Sequence, residues 1–376
     1  MDFLKKHIYL LIALLGLTSC YTDFEPDIDS KPVLCLTSLI TEGDTIRVSL
    51  TRTWRWSEGL TSSSDENKNI DIFVYDADVR LYVNDEYKET LRMRITPNDD
   101  FYGPDNYPWD ATGHKERKEY ICDYIPETGD KIRLEASSPD YGDAWGETVV
   151  PEPVVIDKVD YTATPSDLHN SYFQYNYVGD ENNILYGFNL NLLVWFTDPS
   201  SITNYYMFKT FPGPYISGVG EDGIQYSESV TYYNDTDEPL FTEHVSALDQ
   251  ALGATSGYSV FSDRQISGKS YPLHIRLRNV AYSAMNISSN PDLGKACIEF
   301  TLYSISQSYY KHVISLWVAN DSIAGSLGDI GLGDPVFASS NVSTGAGVVA
   351  AASRYTFRLY VKPIADELQS AGQEAV

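Results

Sequence analysis

Short stretches of alternating apolar and polar residues, separated by turn residues, recur from Pro32 onward and limit the fold more than any other feature. In residues 45–51, for example, every second residue is apolar, as expected where successive strand side chains point to opposite faces. About seven such segments precede Pro151. The chain is therefore predicted to be mainly β, with an immunoglobulin- or transthyretin-like β-sandwich over residues 32–150.

A second β-rich domain is predicted over residues 151–365, with a tail over residues 366–376. Pro151 and Pro153 mark the boundary, because two prolines so close end regular structure and stiffen a connector. Beyond them, residues 271–280 alternate cleanly between an apolar face and a polar face, the latter consisting of His274, Arg276 and Arg278.

Three local structures are predicted from spacing and turn chemistry. Asn84–Asp85 is expected to turn the chain between two strands, and residues 118–122 and 130–136 are expected to form a hairpin. One helix is predicted near residues 304–319, where apolar residues recur at helical spacing. Ser304 is its predicted N-cap with Gln307 three residues on, and a loop is expected at the glycines that follow, Gly325, Gly328, Gly331 and Gly333.

The N-terminal segment has the pattern of a bacterial lipoprotein signal. Two lysines precede an apolar run over residues 8–15, which is too short to span a bilayer and has the length of a signal-peptide core. Leu17-Thr18-Ser19-Cys20 then resembles a lipobox, whose cysteine is lipidated. We predict a signal peptide over residues 1–19 and an outer-membrane lipid anchor on Cys20; an ordinary secretory signal or an uncleaved anchor are the alternatives.

An acidic tether is predicted over residues 20–31, which lack strand or helix periodicity. One interpretation is a flexible spacer between membrane and fold. Acidic residues just after a lipidated cysteine also resemble the signal that directs Bacteroidota lipoproteins to the outer face of the outer membrane. The cell surface is therefore predicted in preference to the periplasmic face.

The strongly negative charge excludes some partners. The net charge is −26, and removal of residues 1–19 takes away two lysines and one aspartate, which makes it −27. Such a surface repels phosphate backbones and anionic lipids, so no nucleic-acid binding is expected. Membrane attachment must then depend on the acyl chains of Cys20, and a stable anchor needs more than one chain.

Cysteine and histidine spacing gives no metal or cofactor site. Lipidation of Cys20 leaves three thiols, an odd number that cannot all pair within one chain. We therefore predict that they are small buried hydrophobic residues, and a Cys35–Cys122 disulfide is the alternative. The histidines show no metal-ligand spacing, and the acidic residues between 99 and 110 lack the spacing of a calcium loop. We predict no metal and no cofactor.

Two glycine stretches are interpreted as structural. Gly268-Lys269-Ser270 resembles the end of a phosphate-binding loop, but Asp263 occupies the position of the required first glycine, so a turn is predicted. Gly345 and Gly347 are expected to let the backbone pass close to a neighbouring segment beneath the helix, in preference to lining a ligand site.

Four aromatic residues in two polar loops are the candidate contacts for a ligand or partner: Trp54, Trp56, Tyr107 and Trp109. Exposed loop aromatics suit contact with sugars, peptides or proteins. Packing into the core or against the other loop is the alternative for most of them.

Several stretches in a fixed order resemble a family of Bacteroidota lipoproteins, domain-of-unknown-function family 4249, encoded beside TonB-dependent outer-membrane receptors. They are the lipobox, residues 128–134, 261–269 and 303–353. The resemblance implies an accessory role at the outer membrane with a TonB-dependent receptor as the partner, and it brings no established ligand.

These observations predict a non-enzymatic, lipid-anchored accessory protein of a TonB-dependent receptor that captures or delivers a nutrient by binding. A structural or assembly partner of the receptor without ligand binding is one alternative, and a surface glycan or peptide hydrolase is another. No Gly-x-Ser-x-Gly motif is present, and the sequence locates no carboxylate pair for glycoside hydrolysis.

Overall fold

The computed structural model describes residues 31–53, 71–97, 116–166, 183–200, 202–251, 259–285, 296–329 and 334–361. The described residues from Val33 onward belong to one compact unit. This unit is mainly β, which confirms the predicted fold class.

The described ranges contain seventeen strands and three α-helices. The strands are β1 (Leu34–Thr41), β2 (Arg47–Arg52), β3 (Asp78–Val83), β4 (Glu86–Thr90), β5 (Arg92–Pro97), β6 (Glu116–Ile121), β7 (Lys131–Ser138), β8 (Gly142–Val149), β9 (Ile156–Pro165), β10 (Asn183–Thr197), β11 (Tyr205–Pro212), β12 (Ile216–Val219), β13 (Gln225–Asn234), β14 (Val260–Ser262), β15 (Ser270–Met285), β16 (Ala296–Ile305) and β17 (Ala346–Val361). The helices are α1 (Ala247–Ala251), α2 (Gln307–Asp321) and α3 (Ile323–Asp329).

The strands form three sheets. The largest has eight strands in the order β14-β11-β16-β17-β1-β2-β6-β5, and it is accompanied by a five-stranded sheet, β12-β13-β15-β10-β9, and a four-stranded sheet, β4-β3-β7-β8. The first strand pairs in parallel with the last, with Cys35 opposite Ala346. The eight-stranded sheet therefore contains strands from both ends of the fold.

Both smaller sheets pack on the same face of the eight-stranded sheet. In β17, Val349 and Ala351 join the core under the four-stranded sheet, whereas Leu359 and Val361 join the core under the five-stranded sheet. All four residues are an even number of positions apart, so they share one face. The opposite face carries α2, which packs on a third cluster that includes Val348.

Two sandwiches result, and the predicted β-sandwich is confirmed in the first. Leu34 and Leu36 of β1 are fully buried against Leu81 of β3 and Leu134 of β7. Fully burying a side chain of this size contributes about 1.5–3 kcal/mol, so the facing apolar rows hold the two sheets together.

The connector between the two sandwiches is fixed to the shared sheet by two serines. The Ser353 hydroxyl donates a hydrogen bond to the Pro151 carbonyl, and the Val154 N–H donates to Ser304 Oγ at 3.2 Å. Ser353 is fully buried on β17, on the face that carries both cores. The division of the chain into domains at residues 150 and 151 stays a prediction.

The predicted hairpin of residues 118–122 and 130–136 is wrong. β6 pairs with β2 and β5, whereas β7 pairs with β3 and β8 in another sheet. Asp130 holds the crossing connection, because it accepts hydrogen bonds from the Tyr124 hydroxyl at 2.7 Å, the Glu127 N–H at 2.9 Å and Asn84 Nδ2 at 3.1 Å. Burial alone would raise the pKa of Asp130, but these donors lower it. The predicted turn at Asn84–Asp85 is confirmed between β3 and β4, with φ of 53° and 68°.

The predicted helix is confirmed, with a corrected start. It begins at Gln307, and Ser306 is the N-cap, accepting from the Tyr309 N–H at 3.4 Å; Ser304 lies in β16. The loop expected next is wrong at Gly325 and Gly328, which lie in α3, whereas Gly331 and Gly333 lie outside the described residues. A Cβ on Gly325 would lie 2.1 Å from the Ala319 carbonyl oxygen, so this glycine permits close packing against the end of α2.

The three described cysteines are free thiols, and no disulfide joins Cys35 to Cys122. Burial raises the pKa of Cys122 to about 11, which makes it an unreactive core residue. None of the helices within the described ranges combines the length and hydrophobicity needed to cross a bilayer.

Candidate functional site

The sequence-predicted site residues lie outside the described residues: Cys20, Trp54, Trp56, Tyr107 and Trp109. The acidic stretch between residues 99 and 110 lies outside them as well. Lipidation at Cys20 and ligand contact by the four aromatics therefore stay predictions.

The described residues do form a groove of about 570 Å³ on the five-stranded sheet. This volume falls in the range of about 300–1,000 Å³ typical of small-molecule sites. Its floor is the outer face of β9, β10 and β15, the face turned away from the core. Its lining combines charged, polar and apolar side chains, among them Asp160, Asn191, Leu193, Asp237, His274 and Arg276.

Strand alternation explains why polar groups cover this floor. In β10, Leu192 and Val194 point into the core while Asn191 and Leu193 point outward. The pairing of β9, β10 and β15 then aligns two outer rows, Thr162–Asn191–Arg276 and Asp160–Leu193–His274. Directly opposed residues in antiparallel strands have Cβ atoms about 4.5–5.5 Å apart, so each row is a close set of three side chains.

The segment 235–239 forms one wall of the groove beside β15. Its anchor is Glu238, 1 % exposed, which accepts hydrogen bonds from the Tyr271 hydroxyl at 2.8 Å and the His274 N–H at 2.7 Å. Burial and the hydrogen bond to Glu238 raise the pKa of Tyr271. The Arg276 N–H also donates to Thr236 Oγ1 at 3.1 Å, so side-chain bonds fix the wall to the floor.

The acidic group on the floor is already paired. Asp160 accepts hydrogen bonds from Lys158 Nζ at 2.8 Å and Trp195 Nε1 at 2.9 Å. The bond from Lys158 lowers the pKa of Asp160. Lys158 also lies over the Trp195 ring, 5.0 Å from its centroid. The carboxylate is therefore held ionised and oriented beside Leu193.

The cationic group in the groove is paired too. Arg276 Nε donates to the Asp235 carbonyl oxygen at 2.9 Å, and its Nη2 lies 3.5 Å from the Asp237 carboxylate. Within the described part of the chain, the side chains of Thr162, Asn191 and His274 have no hydrogen-bond partner. The groove thus offers paired charges together with available hydrogen-bonding side chains.

A second polar cluster is buried and structural. Asp198 accepts hydrogen bonds from the Tyr206 hydroxyl, from Asn204 Nδ2 at 3.2 Å and from the Gly268 N–H at 2.9 Å. Asp263 accepts from the Asn204 N–H at 2.9 Å. The Gly268 N–H is therefore already hydrogen-bonded within the protein and is not available to a phosphate. This agrees with the turn predicted for Gly268-Lys269-Ser270.

Metal ligands are not gathered at either place. Among the described residues, no group of three or more histidine, cysteine, aspartate and glutamate side chains could hold a metal ion. The His312 ring has a structural contact instead, because its Nδ1 is hydrogen-bonded to the Ser339 carbonyl oxygen at 2.7 Å. This bond connects α2 to the segment before β17.

Sequence reasoning missed the groove, although one of its signals was visible. The polar face of residues 271–280 contains His274 and Arg276. Asp160 and Asn191 lie far from that stretch in sequence, and only strand pairing brings them beside it.

Comparison with known proteins places the chain in a family. A search of curated proteins gave no match. A family model, in contrast, matches residues 21–358, a range that includes every residue of the groove, and the match confirms the resemblance to domain-of-unknown-function family 4249. Because this match covers most of the chain, the protein belongs to the family described as Domain of unknown function (DUF4249).

Proposed function

We propose that this protein is a non-enzymatic, lipid-anchored accessory protein of a TonB-dependent outer-membrane receptor, and that it captures or delivers a nutrient by binding. The observation that carries the binding role is the groove of about 570 Å³ with its fixed wall and available polar groups. A rigid floor with few convergent polar side chains is the usual form of a small-molecule site.

The hydrogen bonds of Asp160 make it a poor candidate for the proton donor of a hydrolase. A glycoside hydrolase needs a carboxyl group that stays protonated near neutral pH to donate a proton to the leaving oxygen. Lys158 instead lowers the pKa of Asp160, which makes it a poor proton donor. Its role in the groove is then that of an oriented hydrogen-bond acceptor.

The membrane and receptor parts of the proposal rest on sequence. The lipobox ending at Cys20 and the tether over residues 20–31 support an outer-membrane lipid anchor, with the cell surface as the favoured face. The family resemblance supports a TonB-dependent receptor as partner. The aromatics of the two polar loops, Trp54, Trp56, Tyr107 and Trp109, remain candidates for contact with the ligand or the receptor.

The alternative role of a structural partner of the receptor has one observation in its favour. Exposed apolar side chains occur on the edge hairpin β12–β13 and on the residue before it, with Tyr215 68 %, Val219 69 % and Ile224 47 % exposed. Several exposed apolar side chains near one sheet edge suit a protein-contact surface.

Affinity purification of the Cys20-anchored protein from its own outer membrane, paired with external protease treatment of intact cells, tests the proposal. We expect recovery of a TonB-dependent receptor and cleavage of the lipoprotein by the external protease. Full protection from protease without receptor recovery would contradict the accessory role at the cell surface.

Substitution of Val219 and Ile224 by lysine separates the two roles. If the double variant no longer recovers the receptor but still binds the ligand, the hairpin contacts the receptor and the groove binds the ligand. If the double variant recovers as much receptor as the wild type does, the support for a structural role of this hairpin is removed.

A further inference from the structure

We propose that the groove on β9, β10 and β15 binds an uncharged saccharide. This inference rests on the proposed binding function and adds the chemical class of the ligand. Three properties of the groove lead to it: paired charges, available hydrogen-bonding side chains in register, and an apolar centre.

Paired charges argue against an ionic ligand. Asp160 already holds Lys158 at 2.8 Å and the Trp195 indole at 2.9 Å, so a cationic ligand would have to displace an amine of the same sheet. Arg276 faces Asp237 at 3.5 Å and the Asp235 carbonyl oxygen, so an anionic ligand meets a neutralised cation. The net charge of −26 opposes the approach of anions further.

The available groups suit hydroxyl ligands. Thr162 and Asn191 are directly opposed on neighbouring strands, and His274 lies on the next strand in the adjacent row. A hydroxyl, an amide and an imidazole each donate and accept hydrogen bonds in their neutral forms. A sugar ring presents hydroxyls that also do both, whereas a hydrocarbon would leave these groups without partners.

The apolar centre provides a surface for the C–H groups of a sugar ring. Leu193 is half-buried between Asp160 and His274 in the same row, and Pro239 lines the wall above it. A pyranose presents C–H groups and hydroxyls. The apolar centre of the groove can contact the C–H groups, while the surrounding polar side chains can bind the hydroxyls. Asp160, held ionised, adds a strong acceptor for one hydroxyl.

Calorimetric titration of the detergent-solubilised full chain tests the proposal. The probes are maltohexaose, cellohexaose, xylohexaose and mannohexaose, with hexagalacturonate as the charged comparison and a neutral Gly-Ser hexapeptide as the non-sugar comparison. We expect at least one neutral hexasaccharide to bind, and hexagalacturonate and the peptide to bind at least tenfold more weakly or not at all.

Variants locate the binding. Asn191→Ala combined with His274→Ala should weaken saccharide binding on the order of tenfold or more, because two exposed hydrogen-bonding groups are lost. Thr162→Val, which removes one hydroxyl at nearly constant volume, should weaken it less. Thr231→Ala, an exposed position on β13 outside the groove, is the matched control and should bind as the wild type does.

The outcomes distinguish the ligand class from the proposed function. If no neutral hexasaccharide binds, the saccharide assignment is wrong. If hexagalacturonate or the peptide binds instead and the Asn191/His274 variant loses that binding, the class is wrong while the binding function stands. If a probe binds and the groove variants leave its affinity unchanged, both the assignment and the role of the groove are overturned.

Discussion

At the residue scale, Gly347 has a role that no other residue could fill. Its φ is +102°, and a Cβ at this position would lie 2.3 Å from the Leu36 carbonyl oxygen on the parallel neighbour β1. Gly129 also has a positive φ of +85°, but a Cβ there would meet nothing within 4 Å. An alanine at position 129 would therefore meet only the cost of the backbone conformation, whereas an alanine at position 347 would also meet a steric clash.

We predict that Gly347→Ala lowers the free energy of unfolding more than Gly129→Ala does. A left-handed conformation costs a residue with a side chain about 1–2 kcal/mol, and forced overpacking adds about 1–3 kcal/mol. Urea unfolding of the two variants beside the wild type measures the difference. Equal losses would show that β1 and β17 separate easily enough to accommodate the methyl group.

A second residue-scale prediction concerns pH. Burial raises the pKa of Asp263, and the nearby Asp198 carboxylate raises it further. The unfolded chain ionises this group near its usual pKa of about 3.9, so between that value and the raised pKa the folded protein binds more protons. The contribution of Asp263 to stability therefore falls as the pH rises through this window.

The stability of Asp263→Asn relative to wild type should consequently increase as the pH rises from about 3.9, the usual pKa of an aspartate, through the raised pKa of Asp263. Urea unfolding at several pH values measures this trend. Asp140→Asn, which makes the same substitution at an exposed turn position, is the matched control for the change of side chain. A flat difference for Asp263→Asn would mean that this carboxyl is ionised at no cost in the folded state.

At the element scale, α2 depends on Ser306. Its hydroxyl accepts the Tyr309 N–H at 3.4 Å and the Ala351 N–H of β17 at 3.1 Å. Loss of an N-cap typically costs about 0.5–2 kcal/mol, and the bond to β17 places the cost at the upper end. We predict that Ser306→Ala lowers the melting temperature, whereas Ser306→Thr, which keeps the hydroxyl, retains most of the stability. Similar losses for both variants would point to packing instead of the cap.

The helix and strands also show what local sequence can predict. The spacing that ends in Trp317 predicted α2 well, because a helix is specified by residues close in sequence. The pairing of β6 could not be predicted, since the residue types in 118–122 indicate a strand but not which strand lies alongside. The same limit hid the groove: its polar residues belong to β9, β10 and β15, whose order in the sheet the sequence does not give.

At the scale of the whole molecule, β17 links the two sandwiches. Its first half pairs with β1, and its pairing with β16 extends from Ala352 to Val361. The two prolines near residue 151 predicted a boundary in the sequence, but they could not reveal that the last described strand pairs with the first. Each sandwich therefore shares a strand with the other, and their stabilities should be coupled.

Hydrogen exchange of Phe300→Ala tests this coupling. Phe300 is fully buried in the core under the five-stranded sheet, and its truncation should cost about 3–5 kcal/mol. If β17 transmits the loss, amides of β1 and β2 in the first sandwich should exchange faster along with those of β10 and β15. Phe337→Ala, which truncates a side chain that is 80 % exposed, is the control and should leave both sheets protected. Faster exchange confined to the second sandwich would show two independent domains, because the shared strand would then hold its pairing with β1 while its other half opens.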